Sequence, residues 1–231
     1  MHRLVLFDID GTLLTSMSAG RRALRAAFAE QYHDLAFFDR IRFDGKTDPQ
    51  ILAELHAAAG CPERASPEEI VQLLGRYVAH LEGVLAATGD RVRPCPGVPE
   101  LLDALAGRDD VVTGLLTGNV VQGARLKLGA AGIDFGRFAL GAFGSDSADR
   151  PDLPPIAAER ARHYFGRVPR GAEVVIIGDT PADVACGAGI AARAVAVATG
   201  SYSVAELEST GAYATFPTLV DTSAVLRAIL A

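Results

Sequence analysis

The sequence predicts an α/β fold: a doubly wound parallel sheet interrupted by an inserted, all-helical domain. Three observations carry this. Apolar runs of strand length around residues 4–7, 111–116 and 173–178 each end in a polar cluster, the pattern of parallel strands covered on both faces. From Pro94 onward such runs alternate with helical periodicity, the rhythm of βαβ units. Between Thr15 and Arg93 the pattern is helical without any strand, far more chain than one crossover between parallel strands requires. The expected domains are therefore 1–16 with 94–231 as an α/β core and 17–93 as a helical cap.

The 231 residues, 49% of them hydrophobic, suffice for a sizeable core. A formal charge of −6 argues against a nucleic-acid surface, which is normally basic. No apolar stretch approaches the roughly 18 residues that span a bilayer, and Asp8 and Asp10 interrupt the N-terminus where a signal peptide needs its apolar region. The expectation is a cytoplasmic protein with no membrane and no nucleic-acid partner; nothing in the sequence separates monomer from homodimer. Cys61, Cys95 and Cys186 lack the spacing of a disulfide framework or a zinc site and read as reduced thiols.

The first strand, Leu4-Val5-Leu6-Phe7, runs directly into Asp8-Ile9-Asp10-Gly11-Thr12. At period two, Asp8 and Asp10 share one side of an extended chain, and two carboxylates held close call for a cation or a shared proton. Helical spacing follows from about Ser18 to Gln31, with Leu24, Ala27, Phe28 and Tyr32 on one face. A second helix is signalled by Asp48 as N-cap, Pro49, and Ile51, Leu52 and Leu55 along one face. A third starts at the capping box Ser66-Pro67-Glu68-Glu69. Pro94-Cys95-Pro96-Gly97 marks the return to the core as a stiff, hinge-like linker, with Leu14 to Ser18 as the other half of the hinge.

Beyond it, Val98 to Ala106 reads as helix, Val111 to Thr117 as strand, and Val120 to about Ala131 as helix. Phe138 to Phe143 is a strand, Leu153 to Phe165 a helix, and Glu173 to Gly178 a strand followed by a helix from Pro181. Ala194 to Ala198 and Tyr213 to Phe216 are weaker strands, with helices at Val204 to Glu208 and Thr222 to Leu230.

Three strands thus end in Asp8-x-Asp10-Gly11-Thr12, Thr117-Gly118-Asn119 and Asp179-Thr180-Pro181-Ala182-Asp183, which a parallel sheet brings to one edge. Thr180 is the expected N-cap, with Asp183 in the first turn, where the helix dipole favours negative charge. Asp8, Asp10, Asp179 and Asp183 converging in this way call for a divalent cation, and hard oxygen ligands suit Mg²⁺. Thr117 and the amides of Gly118 and Asn119, at a helix N-terminus, form the kind of site that takes phosphate oxygens.

With these motifs at 7–14, 115–119 and 178–183, in this order and at these separations, the chain resembles the haloacid dehalogenase-like superfamily, specifically its phosphoglycolate phosphatase-like members, whose helical cap is inserted into a Rossmann-like core after the first motif. The family's third motif is usually a lysine followed by proline. Here that place reads Asp149-Arg150-Pro151, and in a chain whose lysines are Lys46 and Lys127 alone an arginine is an economical substitute able to grip phosphate bidentately. Lys127, the competitor, is expected to lie too far along its helix, away from the strand ends. The resemblance implies an Mg²⁺-dependent phosphatase acting on a small-molecule phosphate monoester, with a phosphoglycolate-like compound, a sugar phosphate or a nucleotide as candidate substrates. It implies Asp8 as nucleophile forming an aspartyl-phosphate, and Asp10 as acid and base. Thr117 and Arg150 would hold the phosphoryl oxygens, the metal would sit on Asp8, the Asp10 backbone carbonyl and Asp179, and Asp183 would orient metal-bound water. Asp10 argues for ester chemistry over dehalogenation. A phosphomutase with the same core, and a non-catalytic binding protein, are the alternatives. In the cap, Phe43-Asp44-Gly45-Lys46-Thr47-Asp48 reads as a specificity turn in which Lys46 meets an anionic part of the substrate, or equally as a plain helix-capping loop; Arg21 and Arg22 read as solvated.

Overall fold

The computed structural model describes residues 2–231. In chain order the elements are β1 (Arg3–Phe7), β2 (Leu14–Thr15), α1 (Ala19–Ala29), α2 (Asp48–Ala58), α3 (Pro67–Thr88), β3 (Arg93–Pro94), α4 (Val98–Ala106), β4 (Val111–Thr117), α5 (Val121–Ala130) and β5 (Leu140–Phe143). There follow α6 (Leu153–Arg160), α7 (Arg162–Phe165), β6 (Val174–Gly178), α8 (Pro181–Cys186), β7 (Arg193–Val197), α9 (Val204–Glu208), β8 (Ala214–Phe216) and α10 (Thr222–Leu230). Six strands form one sheet in the order β5-β4-β1-β6-β7-β8, and every neighbouring pair in it is parallel.

The centre of the sheet is β1, fully buried along its length. Its residues alternate between two apolar layers: Val5 and Phe7 pack with α4, α10 and the inserted helices, whereas Leu4 and Leu6 pack with Leu153, Ala157 and Ala161 on the opposite face. Period-two alternation with apolar residues on both sides is what a doubly covered strand requires. The chain reverses strand order on either side of β1, so the C-terminal ends of β1, β4 and β6 open into one crevice.

Between β2 and β3 the described chain holds α1, α2 and α3 with short 3₁₀ turns. Their core is Leu24, Phe28, Phe38, Leu52, Leu55 and Tyr77, continuous with one face of the sheet. The sequence places Asp48 at the N-cap of α2; the structure gives that position to Thr47, whose hydroxyl accepts from the Gln50 amide, and Asp48 falls in the first turn with its side chain buried. Ser66 caps α3 as its motif indicates. The expected helix over Leu153 to Phe165 is broken at Ala161 into α6 and α7. The two linkers to the insertion are paired: Leu14 opposes Pro94 and Thr15 opposes Arg93 in a short antiparallel ladder. Just beyond it Met17 and Ser18 take left-handed φ values of 49° and 58°, a conformation that non-glycine residues hold only where the surroundings enforce it. No described helix is long and apolar enough to cross a membrane.

Candidate active site

β1 delivers Asp8 one residue past its end, and the tight turn that follows is held by Leu13 and Leu14 amides donating to the Ile9 carbonyl. β6 delivers Asp179 in the same way. Thr180 then caps α8: its hydroxyl accepts from the Asp183 amide, while the Asp183 carboxylate accepts from the Thr180 amide and hydroxyl at 3.0 and 2.6 Å. Capping thus fixes Asp183 against the sheet edge. One carboxylate oxygen from each of Asp8, Asp179 and Asp183 lies within 4.8 Å of the others, and all three residues are buried. Gly200 and Gly11 crowd Asp179 so closely that a Cβ at either position would overlap its carboxylate.

The cation among them is Arg150, itself buried, which donates to Asp8 Oδ1 at 3.1 Å and to Asp183. Its Nε is buried without an acceptor. One guanidinium does not balance three acids. Burial first, and then the neighbouring Asp183 charge, push the Asp8 carboxyl up to about 7 against the pull of Arg150. Burial and the charges of Asp183 and Asp8 likewise raise Asp179 well above the ordinary carboxylate range, although it accepts from Thr12 Oγ1 at 3.0 Å. A tight set of hard oxygen donors with surplus negative charge is what Mg²⁺ takes in place of an all-protein cation partner.

Asp10 lies outside that cluster. Its carboxylate accepts from Ser16 Oγ at 3.2 Å, from Asn119 Nδ2 at 2.9 Å and from Lys127 Nζ at 2.5 Å. Burial works to raise its pKa, but the Lys127 ammonium and these hydrogen bonds outweigh it and hold Asp10 below the usual range. The structure therefore overturns the expectation that Lys127 stands apart from the strand ends. It is buried and bonds both Asp10 and, at 2.6 Å, Asn119 Oδ1. Lys127 lies six residues past the start of α5, a rise of about 9 Å. Side chains on a helix lean toward its N-terminus, and a four-carbon stem spans the rest. Its position along the backbone therefore understates its reach.

Thr117 ends β4 fully buried, its hydroxyl accepting from Asn119 Nδ2 at 2.8 Å. Gly118 carries the inserted helices: its carbonyl accepts from the Asp48 amide at 2.7 Å, the Asp48 carboxylate accepts from the Val120 amide at 2.9 Å, and a Cβ on Gly118 would overlap the Lys46 carbonyl. Thr47 Oγ1 donates to the Ala148 carbonyl at 2.6 Å. The Phe43–Asp48 turn is therefore docked on the sheet edge. The result is a cavity of about 620 Å³ between insertion and sheet, lined on one side by Asp8, Asp10, Thr117 and Arg150 and on the other by Arg21, Lys46 and Tyr77. Lys46 reaches the cavity but is paired with Glu54. Arg21, expected to be solvated, instead donates to the Phe38 and Ile41 carbonyls at 3.1 Å and lies 4.6 Å over the Phe43 ring. Asp48, buried beneath this turn, has its carboxyl raised to about 6 by burial against the pull of nearby Lys127. Sequence reasoning did not single out Thr12, Ser16, Asp48 or Tyr77 as site residues.

A family model described as a haloacid dehalogenase-like hydrolase matches residues 2–190. No curated protein matches the chain. Among solved structures, a hydrolase from Pseudomonas syringae is similar at 23% identity and a TM-score of 0.73, with 98% of each chain covered. A beta-phosphoglucomutase from Clostridium difficile is similar at 16% identity and a TM-score of 0.73, covering 100% of this chain and 98% of the other. A predicted phosphoglycolate phosphatase from Haemophilus somnus is similar at 18% identity and a TM-score of 0.68, covering 97% and 98%.

Proposed function

The chain belongs to the haloacid dehalogenase-like hydrolases, and on that premise we propose that it is an Mg²⁺-dependent phosphatase that hydrolyses a small-molecule phosphate monoester through a phosphorylated Asp8. The observation that carries this reading is the placement of two carboxylates two residues apart. Asp8 stands with Asp179, Asp183 and Arg150 at the end of the central strand, while Asp10 lies outside that cluster, held by Ser16, Asn119 and Lys127 and open to the cavity. A nucleophile beside a cation site and a second carboxylate within reach of the departing oxygen and of water have different tasks.

In this reading Asp8 attacks phosphorus and the ester oxygen departs. Asp10, protonated when the ester binds, gives that oxygen its proton and, left as the carboxylate, takes one from the water that cleaves the aspartyl-phosphate. Arg150, with its unpartnered Nε, and Thr117 and the Gly118 and Asn119 amides hold phosphoryl oxygens as charge develops on them. Asp8, Asp179 and the Asp10 backbone carbonyl would hold the metal, with Asp183 acting on its water ligands. Bound Mg²⁺ supplies positive charge that lowers the repulsion between anionic nucleophile and anionic ester. The insertion, residues 17–93, acts as a cap that excludes water from Asp8, and Lys46 faces the part of the substrate that leaves. The alcohol portion is a phosphoglycolate-like, sugar or nucleoside group.

A panel of phosphate esters assayed with Mg²⁺ tests the proposal. Release of inorganic phosphate from at least one ester, abolished in Asp8→Asn, is the expected result. An isomerised ester instead of free phosphate would replace hydrolysis by phosphomutase chemistry, and an inactive protein across the panel would overturn the reading.

A further inference from the structure

Lys127 reaches the acid–base carboxylate from outside the motifs of the core. Its ammonium has three protons and no lone pair to accept with. Two of those protons go to Asp10 Oδ2 and Asn119 Oδ1, at 2.5 and 2.6 Å. The remaining side of Nζ is closed by the cap rather than by the sheet. Gly20, at the start of α1, is so near that a Cβ there would stand 3.2 Å from Nζ and 3.5 Å from the Tyr77 hydroxyl. That hydroxyl, on α3, is buried without a hydrogen-bond partner. A larger residue at position 20 would enter this junction.

Asp10 itself is held by three donors from three segments: Ser16 from the linker into the cap, Asn119 from the sheet edge and Lys127 from α5. Lys127 is the charged one, and charge-assisted hydrogen bonds are the shorter and stronger kind. Its side chain is 5% exposed, against 39% for that of Asp10. The ammonium is therefore the fixed member of the pair, and the carboxylate, open to the cavity, is the one whose orientation needs fixing.

We propose that Lys127 is a positioning residue for the proton-transfer steps: it clamps Asp10 in the orientation from which the ester oxygen and the hydrolytic water are reached, and seating of α1 and α3 over Nζ makes that clamp complete only under a closed cap. This rests on the phosphatase reading. In the first step the bond from phosphorus to the ester oxygen breaks as that from Asp8 to phosphorus forms, and the Asp10 proton goes to the departing oxygen. In the second, water forms its bond to phosphorus, the bond from Asp8 to phosphorus breaks, and the water proton goes to Asp10. Lys127 keeps its protons throughout.

The test exploits the fact that an alkoxide needs that proton to leave and a nitrophenolate does not. Lys127→Met and Lys127→Gln are assayed with Mg²⁺ on p-nitrophenyl phosphate and on glycerol 2-phosphate, or on whichever alkyl phosphate the wild-type panel turns over fastest. kcat/KM reports the steps up to ester cleavage. It should fall at least tenfold more for the alkyl ester than for the nitrophenyl ester in both variants. Equal losses on the two esters, or no loss, would overturn the clamp, and so would failure of both variants to fold, which would confine Lys127 to stability. A wild-type protein inactive on both esters would instead overturn the phosphatase reading.

Discussion

Replacing Arg150 by Met removes the guanidinium that faces the acid cluster while keeping most of the side chain's volume. The Arg150 to Asp8 contact at 3.1 Å amounts to about 5 kcal/mol of attraction at an effective dielectric near 20, and Asp183 adds a second contact. Burying the guanidinium offsets part of this. Removing one partner of a buried pair, however, leaves the other charges uncompensated, and such truncations cost about 3–5 kcal/mol. In a domain of this size each kcal/mol lowers Tm by about 2–4 °C, so Arg150→Met in chelator should melt roughly 6–20 °C below wild type. Because a bound cation would take over part of the missing charge, Mg²⁺ should raise the Tm of the variant more than that of wild type. kcat/KM for phosphate esters should fall by about 10² or more, the usual loss when one donor to a developing oxyanion is removed. Thermal melts followed by circular dichroism, with chelator and with Mg²⁺, read the first two effects. A variant that melts within about 3 °C of wild type in chelator, or that gains no more from Mg²⁺ than wild type does, would refute the view that Arg150 and the metal share one charge load.

Four other outcomes are expected. Asp8→Asn should retain the fold and lose turnover of every ester in the panel, which a phosphate-release assay reads directly; residual activity above about 10⁻³ of wild type would remove Asp8 from the role of nucleophile. Chelation should abolish activity and Mg²⁺ restore it, and a rate indifferent to both would contradict the reading of the carboxylate cluster. Gly118→Ala places a Cβ against the Lys46 carbonyl, backbone that no rotamer change can move aside, so the docked turn must retreat: kcat/KM should fall about 10²-fold, and overpacking of about 1–3 kcal/mol should lower Tm by roughly 2–12 °C. Asp48 has its pKa raised from 3.8 to about 6. The folded state therefore keeps a proton that the unfolded chain has already lost, and this contribution is full below about pH 4 and lost as pH rises through about 6. Asp48→Asn should flatten the dependence of stability on pH over that window by up to about 3 kcal/mol, and parallel melting curves for the two proteins at pH 4.5 and 7 would exclude it.

The sheet was legible because β1 and β6 are continuous apolar runs with polar ends, and β4 is one interrupted only by Thr113 and Gly114 and buried over its last four residues; burial on both faces leaves a central strand little other composition. α4, α9 and α10 match the residues expected from periodicity and capping. The two-residue strands β2 and β3 were not legible as strands, since their pairing is made by residues some eighty positions apart and no local pattern records it. The acid cluster was readable from position relative to strand ends. What joins Lys127, Asp48 and Tyr77 to it was not, because each lies inside a helix and its direction depends on how α2, α3 and α5 pack. Asp48 shows the difference in miniature: an acid at a helix start reads as a cap, yet Thr47 takes the capping role and leaves the carboxylate to the Val120 amide. A signal for Lys127 did exist in its rarity beside so many arginines, though composition alone cannot aim a side chain.

The pairing of Leu14 with Pro94 and of Thr15 with Arg93 gives the sheet a particular view of what is inserted into it. The outgoing and returning chains run side by side as they leave the core, so to the core the whole helical insertion is the loop of a β-hairpin. Loop length costs little, about 0.6 kcal/mol for each doubling, and a hairpin accepts any connection whose ends meet the ladder. The same sheet edge can therefore carry inserts of very different size without refolding. Exchanging the insertion at these four residues is accordingly the natural graft point for giving this core a different substrate chamber.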